Sequence, residues 1–256
     1  MNAGRLEGLG VVVTRPLAAA EPLAAALARE GAKTWLFPAL AIEELGPDEA
    51  LAKLLGDLGR FDLAIFVSAN AVEKGLACVK RFGAWPDAIR VAAIGEATAQ
   101  ALRNSGLADV ISPRERHDSD GLLALPQLRD VRGRNIIVFR GEGGRERLKE
   151  VLEERGAAVT YAQCYRRVRP EADASAIVAA LSRGEVHAVS VLSGETLENF
   201  VAMIGPGAAS LAGVMLVVPH AAVGSGAQAR RFSRVVVAGH GTEGLVEALM
   251  QIRATT

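Results

Sequence analysis

Tyr165 lies in the stretch YAQCYRRVRP, residues 161–170, directly before Arg166 and Arg167. A phenol hydroxyl can donate a hydrogen bond to a departing oxygen, and guanidinium groups bind carboxylates, so this grouping suits acid-assisted chemistry on an anionic ligand. A tyrosine in an extended segment also commonly packs its ring on its neighbours and leaves its hydroxyl in water. The sequence therefore offers both a catalytic and a packing interpretation of Tyr165.

A glycine-rich turn, RGEGGR, runs from Arg140 to Arg145 after an apolar segment that predicts a strand. Backbone N–H groups at a strand-to-helix turn bind anions, and Gly141 has no side chain to keep a ligand away. The alternative is a tight turn whose glycines adopt positive φ angles. The turn matches neither the dinucleotide fingerprint nor the P-loop, which disfavours a nucleotide-dependent oxidoreductase.

Small polar residues follow most of the other predicted strands. The candidates for ligand contacts are Thr14, Arg15, Ser68, Asn70, Thr98, Ser193, Gly194 and His220, together with Arg140 and Gly141. In open α/β sheets, ligands bind beyond the carboxyl ends of the strands, which is where these residues are predicted to lie. Serine and asparagine at such positions are also ordinary N-caps of helices, so each residue has a purely structural alternative.

Composition and spacing exclude several functional classes. The histidines, His117, His187, His220 and His240, and the cysteines, Cys78 and Cys164, lack metal-ligand spacing, so we expect no metal site. With 29 basic and 29 acidic residues the formal net charge is zero, which argues against a nucleic-acid partner. No apolar run approaches the roughly 20 residues of a membrane span, and the first residues lack the apolar core of a signal peptide, so we expect a cytoplasmic protein without membrane contact.

The predicted elements alternate between strands and helices. Apolar runs such as GVVV, LAIFV and NIIVF are followed by segments with leucine and alanine at helical spacing. This order is typical of α/β proteins with parallel sheets. We also expect a helix over Gly121–Leu128, despite Pro126 within it. At 256 residues the chain has the length of two domains.

The chain contains an internal repeat with a shift of 125 residues. The shift pairs Gly8 with Gly133, Arg15 with Arg140, Gly31 with Gly156, Leu40 with Tyr165 and Ser68 with Ser193. It predicts two copies of one α/β unit. Each copy can close on itself, or the two copies can exchange their leading β-α-β units, and the repeat alone permits both closures. Leu36–Leu45 and Tyr161–Pro170 occupy equivalent positions in the two copies.

Several segments together resemble the uroporphyrinogen-III synthase family. They are VVVTRP, FVSANAV, VAAIGEATAQAL, RGEGGRERLKEVLEERGAAV, the YRR of residues 165–167 and VLSGET, and the likeness extends from about Val11 to Leu249. The resemblance implies two similar flavodoxin-like α/β domains with parallel sheets, joined by a two-stranded β connector. Residues 1–38 with 168–256 would form one domain, residues 42–163 the other, and residues 36–45 and 161–170 the connectors. This is the exchanged closure, with the ligand held between the domains.

The resemblance also implies an activity, the cyclisation of hydroxymethylbilane to uroporphyrinogen III with inversion of ring D through a spiro intermediate. The substrate is a linear tetrapyrrole with eight carboxylates, and the enzyme is a cyclising hydro-lyase without metal or organic cofactor, expected here as a monomer. Tyr165 matches the connector tyrosine that would assist departure of the substrate hydroxyl.

Other residues match family positions that bind substrate carboxylates. Thr98, Ser68 and the Ser193-Gly194 pair correspond to such positions, whereas His220 replaces the serine or threonine of many relatives. The rival interpretation is a two-domain module that binds an anion or another small molecule without catalysis.

Overall fold

The apolar runs of the sequence form the strands of the computed structural model, which describes residues 4–46, 48–239 and 241–254. The strands are β1 (Gly10–Val13), β2 (Lys33–Leu36), β3 (Ala41–Glu44), β4 (Leu63–Phe66), β5 (Arg90–Ala93), β6 (Val110–Ile111), β7 (Asn135–Gly141), β8 (Ala158–Val168), β9 (Ala188–Ser190), β10 (Met215–Val218) and β11 (Arg234–Val237). Strands such as β1 and β4 are apolar throughout because both faces of their sheets are covered.

Helices follow the strands in nearly strict alternation. They are α1 (Leu17–Arg29), α2 (Glu49–Gly56), α3 (Ala69–Phe82), α4 (Glu96–Asn104), α5 (Ser119–Leu123), α6 (Arg147–Glu154), α7 (Ser175–Ser182), α8 (Gly194–Ile204), α9 (Ala221–Gly224) and α10 (Gly241–Ala254). Ser68 caps α3 and Ser193 caps α8, each by accepting a backbone N–H of the first turn. These caps satisfy N–H groups that a helix leaves without partners at its start.

The strands described form two sheets. One has the order β11-β10-β9-β1-β2 and the other the order β3-β8-β7-β4-β5-β6. All pairs in the first sheet are parallel, and so are the pairs β8–β7, β7–β4, β4–β5 and β5–β6 of the second. The α/β class with parallel sheets, predicted from the sequence, is confirmed.

The chain divides into two compact units. The first comprises Met1–Ala41 and Val168–Thr256, and the second comprises Ile42–Arg167. In the first unit, β1 lies between β2 and β9, a strand from the far part of the chain. In the second, β7 lies between β8 and β4, although many residues separate β7 from β4 in sequence.

Each sheet separates two apolar cores. In the first unit, Val12 belongs to the core that contains Phe200. Val11 and Val13 belong to the opposite core, which contains Leu27. In the second unit the two cores are formed in the same way around β4 and β7. Successive side chains of a strand point to opposite faces, so a short apolar strand contributes to both cores.

The backbone confirms the repeat. Gly31 and Gly156, which the shift of 125 residues pairs, have φ angles of 88° and 86° at the ends of α1 and α6. Gly8 and Gly133, before β1 and β7, have φ angles of 76° and 72°. Side chains strongly disfavour this left-handed region, so glycine is required at both pairs of positions.

The helix predicted over Gly121–Leu128 is wrong in its second half. Helix α5 ends at Leu123, and a separate 3-10 turn covers Pro126–Leu128. Leu125, which precedes the proline, has an extended ψ angle of 141°. The proline ring disfavours a helical conformation of the preceding residue, and proline has no N–H to continue the helix.

Candidate active site

Tyr165 lies near the carboxyl end of β8 and is only 5% exposed. Its hydroxyl is 3.0 Å from the Oγ of Ser68, which follows β4 in the same unit. Ser68 has the extended backbone of an N-cap residue, and its Oγ accepts the N–H of Ala71 at 3.0 Å. The tyrosine hydroxyl therefore has a hydrogen-bond partner fixed by the first turn of α3.

The contact leaves two possible directions for the hydrogen bond, because either oxygen can donate. A serine hydroxyl has one proton and two lone pairs, and the N–H of Ala71 occupies one lone pair. If Ser68 donates to the tyrosine oxygen, the phenol O–H is available for a third group. In this arrangement Tyr165 donates its own proton to a third group while its oxygen accepts a hydrogen bond from Ser68.

Gly141 is placed against the ring of Tyr165. The two residues are paired between β7 and β8 beside an irregularity at Arg140 and Gly141, and the N–H of Glu142 donates to the Tyr165 carbonyl at 2.8 Å. A Cβ at position 141 would lie 2.7 Å from Cε2 of the tyrosine ring. The glycine is thus required by the close approach of this ring.

Arg140 is buried and its charge is balanced locally. Its Nη1 lies 3.1 Å from Oε1 of Glu146, and its Nη2 donates to the carbonyl oxygen of Gly143. The guanidinium carbon lies 4.3 Å from the centre of the Tyr161 ring. The other carboxylate oxygen of Glu146 accepts the Tyr161 hydroxyl at 2.8 Å. Burial first, and then this bond to Glu146, raise the pKa of Tyr161 to about 12.

The glycine-rich turn has features of both interpretations offered by its sequence. Gly143 and Gly144 have φ angles of 67° and 98°, as expected for a tight turn. Gly141, Gly143 and Gly144 also line a pocket of about 530 Å³ at the carboxyl ends of the strands of the second unit. The turn therefore both reverses the chain and forms one wall of a cavity.

Most of the ionisable nitrogen and carboxylate side chains that line this pocket are basic. Arg140, Arg145, Arg167 and His117 all contribute to it, as do both tyrosines. The acidic residue of the lining is Asp118, whose carboxylate already accepts the N–H of Gly121 and a hydrogen bond from Arg116. A pocket with several guanidinium groups suits a ligand that carries carboxylates.

The structure brings only some of the predicted residues of the second unit together. Tyr165, Arg140 and Gly141 line the pocket, and Ser68 is joined to it through Tyr165. Asn70 lies in the first turn of α3, and Thr98 is buried in the first turn of α4. Both are outside the lining of this pocket.

The predicted residues of the first unit lie at the carboxyl ends of β1, β9 and β10. The Thr14 hydroxyl donates to the Ser190 carbonyl at 2.7 Å, so the fold already uses it. The Ser193 Oγ accepts the Thr196 N–H at 3.1 Å, and Gly194 begins α8. His220 is exposed before α9, with no side-chain capping bond. Arg15 is 9% exposed, and burial lowers the pKa of its guanidinium.

The network of Arg140, Glu146 and Tyr161 was not predicted. Glu146 lies six residues after Arg140, a spacing typical of no regular element, and the contact depends on the left-handed glycines between them. The sequence does hold one signal, because the shift of 125 residues pairs Tyr161 with the apolar Leu36. A polar ring at one of two equivalent positions indicates a local function.

No group of three or more histidine, cysteine, aspartate or glutamate side chains that could hold a metal ion occurs within residues 4–46, 48–239 and 241–254. His187 accepts the N–H of Gly10 through Nδ1 at 2.9 Å, which is a structural role. His240 lies outside the described residues. Of the helices described, none combines the length and the apolar character needed to cross a membrane.

Parallel sheets, a pocket with several basic residues at the carboxyl ends of the strands and a buried tyrosine–serine pair define an α/β protein with a site suited to an anionic small molecule. The sequence matches the family described as "Uroporphyrinogen-III synthase HemD" over residues 21–247. The chain belongs to the uroporphyrinogen-III synthase family, whose members serve tetrapyrrole synthesis.

Relatives from several organisms agree with this assignment. The chain is 35% identical over 192 residues to uroporphyrinogen-III synthase of Salmonella typhimurium, covering 75% of this chain and 78% of the relative. It is 34% identical over 200 residues to the Escherichia coli enzyme of the same name, covering 77% and 80%.

Solved structures of uroporphyrinogen III synthases share the fold. A mutant of the Thermus thermophilus protein superposes with a TM-score of 0.65 at 21% identity, covering 96% of this chain and 98% of that one. The Helicobacter pylori protein superposes with a TM-score of 0.59 at 12% identity, covering 96% and 99%. At these low sequence identities the similarity shows only that the fold is shared.

Proposed function

We propose that this chain is a uroporphyrinogen-III synthase that cyclises hydroxymethylbilane to uroporphyrinogen III, with inversion of ring D. The observation that carries the proposal in this chain is the Tyr165 hydroxyl, 3.0 Å from Ser68 at a basic pocket. The reaction is inferred from membership in the family. The pocket has groups suited to two parts of this reaction, the departure of a hydroxyl group and the binding of a flexible polyanion.

Tyr165 would assist the first step. Its O–H donates to the substrate hydroxyl while the C–O bond breaks, and the electron pair of a pyrrole nitrogen forms the cationic azafulvene. The hydroxyl leaves as water after taking up a proton. Ser68 donates to the tyrosine oxygen and thereby stabilises the charge that develops there.

The later steps depend more on how the substrate is folded in the site than on further acid–base groups. The substituted carbon of ring D attacks the azafulvene carbon and forms a spiro intermediate, which fragments and recloses with ring D inverted. Closure releases one proton from ring D, which restores the Tyr165 hydroxyl, so that the net loss is one molecule of water. The protein has to fold the tetrapyrrole so that this attack precedes direct closure, and to keep water from the cation. In this proposal the reaction is that of a cyclising hydro-lyase without metal or organic cofactor, acting as a cytoplasmic monomer.

Hydrogen-bond donors at the strand ends would bind the substrate. Arg145 and Arg167 line the pocket beside Tyr165, and guanidinium groups bind carboxylates in a bidentate manner. In the same proposal the predicted positions Asn70, Thr98, Ser193, Gly194, His220, Thr14 and Arg15 add hydrogen bonds, largely through backbone N–H groups at helix starts. Arg140 and Gly141 act mainly by shaping the wall next to Tyr165.

The test is the isomer composition of the product. Purified protein is added to freshly generated hydroxymethylbilane, and the uroporphyrins obtained after oxidation are separated by chromatography. We expect the type III isomer to predominate, whereas a protein-free reaction gives type I by direct closure. If only type I forms in both reactions, the proposal is wrong and a non-catalytic binding module becomes the better account.

A further inference from the structure

Arg15 and Arg140 are equivalent in the repeat, and each follows the apolar core of the first strand of its copy. Both are more than nine-tenths buried, with 9% and 6% of their surface exposed. A buried guanidinium without a counter-charge is unfavourable, so each requires compensation. The second copy provides a carboxylate for its arginine, whereas the described residues of the first copy do not.

In the second copy, the glycine-rich turn delays the start of α6 to Arg147, and Glu146 reaches back to Arg140. In the first copy, Pro16 directly precedes α1, which begins at Leu17. Glu21, the counterpart of Glu146, therefore lies within the helix on its exposed side. Proline is well suited to start a helix early, because its missing N–H would be unpaired there in any case.

Arg15 is consequently left without an anionic partner among the described residues. Its Nη2 makes one long contact of 3.5 Å with the Gly241 carbonyl, and its Nε makes no hydrogen bond within the described part of the chain. Burial lowers the pKa of this guanidinium, the direction expected when a cation loses water without gaining a counter-charge.

Ser190 is the second residue with an unpartnered buried atom. It is fully buried, and its Oγ makes no hydrogen bond to any described group. Ser190 pairs with Val13 between β9 and β1, two residues before Arg15. Val13 packs on the sheet face that also holds Ala188 and Leu245. Since paired residues of neighbouring strands point to the same face, Ser190 points to this face, and Arg15 lines a pocket together with Leu245 of the same core.

A small pocket lies beside Arg15 and the two residues that follow Ser190. It has a volume of about 20 Å³, is lined by Arg15, Val217, Gly241 and Leu245, and ends beside the exposed Leu192. This volume holds one water-sized group. Helix α10 begins at Gly241, and the start of a helix adds positive potential. The unsatisfied Nε of a buried cation and a helix start thus face one cavity, and the unpartnered Ser190 directly precedes Val191 and Leu192 of its lining.

We propose that Arg15 and Ser190 form an anion subsite of the first unit, which receives one oxygen of a substrate carboxylate while the rest of that acidic chain lies outside beside Leu192. The identity of the ligand rests on the proposed function, whereas the anion subsite itself does not. The asymmetry of the repeat explains why only this copy has such a subsite, since Glu146 occupies the equivalent place in the other.

Direct binding can be measured with acetate as the probe. In nitrogen-15-labelled protein, the Arg15 Nε–H signal is assigned by its loss in Arg15→Lys, and acetate is titrated at constant ionic strength. We expect a saturable shift whose midpoint rises about tenfold in Ser190→Ala, since a hydrogen bond to a charged group is lost. No saturable shift, or the same midpoint in Ser190→Ala, would overturn the subsite. Saturation by chloride that acetate cannot displace would overturn its preference for carboxylates.

Kinetics connect the subsite with the substrate. We expect Ser190→Ala to raise KM for hydroxymethylbilane about tenfold with little change in kcat, because the contact is made equally before and during reaction. Glu21→Gln, which removes a charge from the exposed side of α1, is the matched control and should leave both constants unchanged. An unchanged KM in Ser190→Ala would overturn the role in substrate binding. Acetate binding by a protein that forms no type III isomer would refute the proposed function and leave the anion subsite standing.

Discussion

The hydroxyl of Tyr165 and the Oγ of Ser68 lie 3.0 Å apart, although 97 residues separate them in sequence. The repeat shows what is special about this pair. Ser193 is equivalent to Ser68 and caps its helix in the same way, but the position equivalent to Tyr165 is Leu40. Capping is therefore common to both copies, whereas the serine–tyrosine contact belongs to one. A contact that breaks the symmetry of a duplicated fold points to function rather than to folding.

Tyr165→Phe removes the hydroxyl and keeps the ring. We expect kcat to fall by on the order of 10- to 100-fold, because the leaving hydroxyl loses a hydrogen-bond donor. KM should change little, since the contact is made mainly as the C–O bond breaks. Initial rates of type III formation measure both constants. An unchanged kcat would return Tyr165 to the packing role that its sequence context also allows.

Ser68→Ala separates orientation from capping. It removes the partner of Tyr165 and the N-cap of α3, so we expect a loss of about 1 kcal/mol in the free energy of unfolding and a fall in kcat. Asp48→Ala removes the cap of α2 instead, which accepts the Ala50 N–H at 2.8 Å. This control should lose similar stability in urea unfolding and keep its kcat. Equal kcat values in the two variants would contradict an orienting role for Ser68.

The sequence predicts the elements of this fold better than its contacts. Runs such as GVVV and LAIF identify strands covered on both faces, and the shift of 125 residues identifies the duplication. Both signals are local or periodic. The contact of Tyr165 with Ser68 is neither, since it depends on β8 and β4 lying on either side of β7. An isolated tyrosine in an extended segment does not reveal that its hydroxyl will be buried.

The sequence also does not show which of the buried arginines has a carboxylate partner. Arg15 and Arg140 occupy equivalent positions, yet one meets Glu146 and the other meets no described carboxylate. The difference arises from where the next helix begins, which depends on Pro16 in one copy and on Gly143 and Gly144 in the other. The sequence leaves open whether the turn binds an anion, and it does not reveal that Arg140 is already paired with Glu146.

Gly141→Ala tests the close approach of the Tyr165 ring. The φ angle of Gly141 lies outside the left-handed region, so alanine is acceptable to the backbone, but its Cβ would lie 2.7 Å from Cε2 of the ring. We expect the ring to move and kcat to fall by up to about 100-fold, as a misplacement of about 1 Å can cause. Gly213→Ala is the control, because a Cβ there meets no atom within 4 Å. Full activity of Gly141→Ala would show that the ring position is not critical.

The titration of Tyr161 tests the network with Glu146 and Arg140. Burial, followed by the hydrogen bond to Glu146, raises the pKa of Tyr161 to about 12 from an ordinary value of 10.0, so the folded state favours the neutral phenol. The neutral Tyr161 therefore contributes fully to the free energy of unfolding below about pH 10, and this contribution is lost as the pH rises towards 12.

In the Tyr165→Phe background Tyr161 is the single remaining tyrosine, and its ionisation can be followed by the ultraviolet absorbance of tyrosinate. We expect a midpoint near 12, and a lower one in Glu146→Gln, because the negative charge beside the phenol is removed while burial remains. Glu150→Gln, an exposed change on the same helix, should leave the midpoint unchanged. A midpoint near 10 before any change at Glu146 would mean that Tyr161 is open to water and that Glu146 serves Arg140 alone.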